Sequence, residues 1–173
     1  MKTPSIILAA LRAVLLSLAM GTAAPTVLAH GDAAHGPSIS SAPISSEEHA
    51  FGKQGDPKSA NRTIAIDMND MMRFVPADIT VKQGETIRFV VANKGKLMHE
   101  MVLGTMEALK QHGEMMRKHP GMEHDEPFMA HVAPGRKEDM VWHFTQAGEF
   151  HYACLVPGHF EAGMAGKIKV VKE

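Results

Sequence analysis

From Asn61 onward apolar and polar residues alternate with a period of two, in short runs separated by turn residues. Thr63-Ile64-Ala65-Ile66-Asp67-Met68, Asp78-Ile79-Thr80-Val81-Lys82 and Glu85 to Ala92 each read as a strand, with Gln83-Gly84 turning the second into the third. Leu97 to Leu103, Glu138 to Phe144, Glu149 to Cys154 and Ala165 to Val171 repeat the pattern. One stretch departs from it. Thr105 to Lys118 has helical spacing, with Met106, Leu109, Gly113 and Met116 on a packing face, and Pro120-Gly121 stops it. About seven or eight strands and a single helix that links no parallel pair predict an all-β, Greek-key β-sandwich over 61–173. The helix belongs to an insertion at about 104–130.

The first 60 residues follow other rules. Lys2 precedes an apolar run interrupted by Arg12, Gly21 and Pro25, and Val27-Leu28-Ala29 ends in small residues. A positive start, an apolar middle and a small-residue exit describe a secretory signal peptide over 1–29, cleaved after Ala29. A membrane anchor needs about 20 unbroken apolar residues, which neither this segment nor any later one provides. Residues 30–60 are rich in Ala, Gly, Ser and Pro without periodicity, and so read as a flexible arm.

Removing two basic residues with the signal peptide takes the net charge from −1 to about −3. That balance argues against nucleic acid and anionic membranes as partners. Roughly 140 residues remain, enough for one domain with a core. Export also makes the single cysteine, Cys154, informative. An oxidising compartment pairs its cysteines, so an odd one is reactive, buried or metal-bound.

Cys154 opens the loop Cys154-Leu-Val-Pro-Gly-His159-Phe-Glu-Ala-Gly-Met164, and His99 stands upstream in Leu97-Met98-His99-Glu100. A thiolate, two imidazoles and a thioether are the donors of a blue-copper site, in which neither oxidation state gets its ideal geometry. Zinc also accepts cysteine and histidine, but the thioether favours copper. Taken alone, His99 reads as an ordinary strand histidine and Met164 as core packing. Pro157 and Gly158 stiffen and turn the loop, while Gly163 and Gly166 let the chain bend around Met164.

On these stretches the chain resembles the cupredoxins, the small blue-copper proteins. The resemblance rests on Phe74 to Phe89, on Asn93 leading to His99, and on Gly148 to Cys154 leading through His159 to Met164. It covers Asn61 to the C-terminus apart from the insertion. It implies a cupredoxin-type sandwich in which His99, Cys154 and His159 are equatorial ligands and Met164 the axial one. Four residues on each side of His159 are similar to the azurin and auracyanin loops, not the shorter plastocyanin loop. His159 is then the route for electrons, and Asn93 with the backbone near Cys154 the surroundings that orient the ligands.

An electron carrier does not need the segment's Met98, Met101, Met106, His112, Met115, Met116, His119, Met122, His124, Met129 and His131. Thioethers suit Cu(I) and imidazoles suit Cu(II) as well. His112, Met115 and His119 share one helical face. The candidate accessory copper ligands are therefore His112, Met115, Met116, His119, Met122 and His124, joined by His30 at the new N-terminus and His35. Core methionines and solvated histidines are the competing reading, which also covers His49 and the cluster Met68, Met71, Met72. The segment makes the chain similar to periplasmic cupredoxins associated with bacterial copper tolerance.

Two functions remain open. One is a mononuclear type 1 copper protein that binds and redox-cycles copper in tolerance or homeostasis. The other is a dedicated electron carrier between respiratory or photosynthetic partners. Copper ions are the expected partner in both, with a periplasmic redox or copper-handling protein beside them. An oxidase or reductase would need paired histidines for a further copper cluster, and the chain has no His-X-His pair, so no enzymatic turnover is expected.

Overall fold

The computed structural model describes residues 43–119 and 124–172, so the signal-peptide segment, His30, His35 and Met122 lie outside the described residues. The strands are β1 (Glu48–His49), β2 (Gly52–Gln54), β3 (Arg62–Asn69), β4 (Arg73–Val75), β5 (Asp78–Lys82), β6 (Thr86–Asn93), β7 (His99–Gly104), β8 (Met129–Val132), β9 (Lys137–His143), β10 (Gly148–Ala153) and β11 (Ala165–Val171). One α-helix, α1 (Met106–Lys118), lies between β7 and β8. The strands form a six-stranded sheet in the order β1-β2-β9-β6-β3-β4 and a five-stranded sheet in the order β5-β11-β10-β7-β8. β3 pairs with β6 and β5 with β11 in parallel, and the remaining pairings are antiparallel. The expected all-β sandwich with a short helix is the fold found.

Alternation sets the core. Ile66 and Met68 of β3, Ile87, Phe89 and Val91 of β6, Met140 and Trp142 of β9, and Ile168 and Val170 of β11 point between the sheets into one buried cluster. β7 differs because all six of its residues are buried. Its odd-numbered side chains, Met101 and Leu103, enter the main core, while Val102 joins Leu109, Ala153 and Leu155 in a second cluster beneath α1. A strand covered on both faces can hold polar groups in two protected environments. His99 and Glu100 occupy one each.

The helix forms as its sequence predicts. Thr105 caps it by accepting from the Ala108 amide at 3.1 Å, Glu107 lies in the first turn, and Arg117 and Lys118 lie in the last, all in favourable positions for the helix dipole. Leu109 and Gly113 are its buried residues. Met106 and Met116 are half-buried at the edge of that face.

Part of the expected arm is not loose. β2 pairs with β9 through Lys53 and Gln54, β1 pairs with β2, and Phe51 is buried against Trp142 and Phe128. Sequence patterning misses this because one aromatic anchor and two strands of two and three residues carry no period. Beyond α1, the residues from Met129 form β8 at the sheet edge. β4 was likewise invisible at three residues.

Candidate metal centre

His99 and Cys154 come from neighbouring strands. β7 and β10 pair antiparallel with Val102 opposite Ala153, which brings the start of β7 beside the end of β10. Both side chains face inward and are fully buried. The chain then leaves β10 through a loop that folds back on itself. The Met164 amide donates to the His159 carbonyl at 3.0 Å, and the Cys154 amide donates to the Met164 carbonyl at 3.1 Å. Gly163, at φ 88°, supplies the left-handed backbone that this return requires. Gly166 serves another purpose: a Cβ there would collide with the Tyr152 ring, which the Tyr152 hydroxyl fixes by donating to the Pro76 carbonyl at 2.7 Å.

Nδ1 of His99, Nδ1 of His159 and Sγ of Cys154 converge. The sulfur is 4.0 Å from His99 Nδ1 and 3.3 Å from His159 Nδ1, and the three ligand atoms lie within 4.8 Å of one another. One sulfur and one nitrogen bound at trigonal angles to a common ion stand about 3.7 Å apart, given bonds of about 2.3 and 2.0 Å. The two observed distances bracket that value, so the donors fit a single metal ion. Met164 is fully buried. Its backbone bonds to both loop ligands hold it at the same site.

The surroundings select protonation states. Asp70 lies 3.1 Å from His99 Nε2, and because a carboxylate only accepts, Nε2 carries the proton and leaves the Nδ1 lone pair facing Cys154. Asp70 also accepts from the amides of Lys96 and Leu97, and chiefly the Lys96 bond holds its carboxyl below the usual value. Burial raises the Cys154 thiol to about 12. In the metal-free state it is therefore a thiol, and a metal must displace its proton. Burial, followed by the nearby His99, lowers His159, which keeps that imidazole neutral and able to ligate. The Glu100 amide donates to Cys154 Sγ at 3.4 Å, a bond that favours charge on sulfur.

Three supporting residues went unread in the sequence. Asp70 orients His99, Arg73 donates from its guanidinium to the Ala162 carbonyl at 3.1 Å and so braces the ligand loop, and Glu100 accepts from the Leu155 amide at 2.8 Å. Asp70 and Arg73 flank a short turn with no motif of its own. Asn93 acts at one remove: its amide donates to the carbonyls of Leu97 and Val132 at 2.8 Å each, fixing the approach to His99 without touching a ligand.

The accessory candidates divide. His112 and His124 meet with their Nε2 atoms 2.9 Å apart, whereas Met115 and His119 are exposed and Met116 is half-buried. His49 stacks on Phe51 at the sheet edge. Of the cluster near Arg73, Met68 is core and Met72 packs against it, but Met71 is 76% exposed, so core packing does not account for it.

Comparison with known proteins agrees with this geometry. The copper-binding plastocyanin/azurin family matches residues 60–171. A copper-resistant cuproprotein CopI of Rubrivivax gelatinosus is 49% identical, with 79% of this chain and 82% of that protein aligned. The CopI protein of Pseudomonas aeruginosa is 35% identical over 70% of this chain and 82% of its own. Among solved structures, the reduced auracyanin of Roseiflexus castenholzii superposes with a TM-score of 0.56 at 21% identity, covering 65% of this chain and 98% of auracyanin. No helix among the described residues is long and apolar enough to cross a membrane.

Proposed function

The chain belongs to the plastocyanin/azurin family of copper-binding proteins, and from that premise we propose that it is an exported, periplasmic type 1 copper protein serving copper tolerance, with no catalytic turnover of its own. The convergence of His99 Nδ1, His159 Nδ1 and Cys154 Sγ carries this reading. Together with Met164 these residues would hold the copper. When bound, copper supplies a one-electron Cu(II)/Cu(I) couple.

The chain's own residues supply the rest. Paired strands and a loop closed by its own backbone bonds fix the donors before metal arrives, so little rearrangement accompanies a change of oxidation state. Asp70 holds the His99 tautomer, and the Glu100 amide supports charge on Cys154. His99 is sealed while His159 is half-exposed, so His159 is the ring through which electrons enter or leave. The high similarity to proteins named for copper resistance favours tolerance.

The same half-exposed His159 supports a second reading, electron transfer to a docked redox protein. Expression of the wild type and of Cys154→Ser in a copper-sensitive bacterial strain separates the two. Wild type is expected to restore growth on copper and the variant to fail, whereas restored growth with Cys154→Ser would place tolerance outside this centre. Titration of the purified protein with Cu(II) tests the centre itself. An intense thiolate-to-copper absorption band is expected, and its absence would remove the assignment.

A further inference from the structure

A second pair of imidazoles lies outside this centre. His112 comes from the middle of α1 and His124 from the segment leading to β8, and their Nε2 atoms are 2.9 Å apart with ring centroids at 4.9 Å. Two nitrogen lone pairs cannot face each other at that distance without a proton or a cation between them. Burial first, and then the His124 charge, lowers the His112 pKa, which favours the neutral ring with a lone pair to offer. An N–H of one ring donating to the other accounts for the contact, and a metal ion can replace that proton.

The spacing also admits a metal ion. Two nitrogens about 2.0 Å from a common metal stand about 2.8 Å apart at a right angle and about 3.3 Å apart at a tetrahedral one. The observed 2.9 Å fits adjacent corners of a tetragonal site, the geometry of Cu(II) with nitrogen and oxygen donors. Glu100 and Glu126 are close enough to act electrostatically on His112, and so offset the charge of a divalent ion.

His131 belongs to the site as a brace. Its Nδ1 is 3.1 Å from a Glu100 carboxylate oxygen and its Nε2 is 3.1 Å from the His124 carbonyl. Both partners only accept, so both His131 nitrogens donate and neither has a lone pair for a metal. His131 thereby fixes the backbone of His124. The other oxygen of Glu100 holds the Leu155 amide next to Cys154, so one chain of bonds joins the imidazole pair to the first centre.

We propose that His112 and His124 are the protein ligands of a second, tetragonal Cu(II) site, positioned by His131 and Glu100. This rests on the copper reading above, but the two fail separately. Cu(II) titration of the full chain, followed by electron paramagnetic resonance and visible absorption, is expected to show about two coppers per chain: the thiolate band and a distinct tetragonal signal. In His112→Gln/His124→Gln the tetragonal signal should vanish and stoichiometry fall to about one, with the thiolate band intact as proof of folding. In His30→Gln/His35→Gln it should persist. Persistence of the signal in the first double variant, or its absence from wild type, would overturn the second site. Loss of the thiolate band from wild type would instead overturn the first.

Discussion

His99 and Cys154 hang from paired strands, and His159 follows in a loop tied to itself, so two donors are set by sheet geometry and the third by the loop's own bonds. His112 rides on a helix held to the sandwich through Leu109 and Gly113, and meets a partner twelve residues away that is anchored by a single carbonyl. The first centre is sealed apart from His159, and the second is half-buried on both rings. A sheet-borne site can hold a compromise geometry against the preference of the metal, because moving a ligand means breaking strand pairing. A helix-borne pair can adjust, and so suits taking up an ion more than cycling its charge. The difference matches two tasks for the same element.

Glu100 joins the two regions, and removing it tests whether they are independent. Glu100→Ala leaves the Leu155 amide and His131 without their buried partner and should destabilise the protein by about 3 kcal/mol in urea unfolding. Glu100→Gln, which can still accept from Leu155, should lose less. Equal loss in both would mean that the link to Leu155 contributes nothing.

Gly166→Ala probes the β10–β11 pairing beside the first centre. The added methyl meets the Tyr152 ring, for a cost of about 2 kcal/mol by the same assay. The tetragonal signal should not change, and a change would show that the two regions share more than Glu100.

Asp70→Ala removes the acceptor that fixes the His99 tautomer. Copper retention at the thiolate centre should fall about tenfold in competition with a chelator. Retention equal to wild type would mean that strand geometry alone orients His99.

The smallest effect belongs to the second region. Its bond to Glu100, more than any other contact, raises the His131 pKa above the ordinary histidine value. A raised pKa gives stability that is complete below the unfolded-state value and lost as pH rises through the folded one. Wild type should therefore exceed His131→Gln in stability by more at pH 5.5 than at pH 8.5, in paired denaturation curves. A gap that widens with pH would contradict the ion pair.

The long strands and the helix were legible because each buries one face, and burial writes a period into the residues. β1, β2, β4 and β8 were not, since strands of two to four residues show no period. Cys154, His159 and Met164 were readable as a unit because a loop keeps its ligands adjacent in the chain. Asp70 and Glu100 were not, because nothing in a turn aspartate or a strand glutamate shows what will fold against it.

The sequence by itself determined the donor set of the loop, the strand alternation that builds a sandwich, and a helix rich in soft ligands. Tertiary structure alone decided that His99 arrives at Cys154 with Nδ1 forward, that His112 pairs with His124 and not with Met115 or His119, and that His131 is a brace. Local pattern records which side of an element is buried. Partners brought together from distant parts of the chain, as His99 and Cys154 are across 55 residues, depend on strand order and register, which no local pattern encodes.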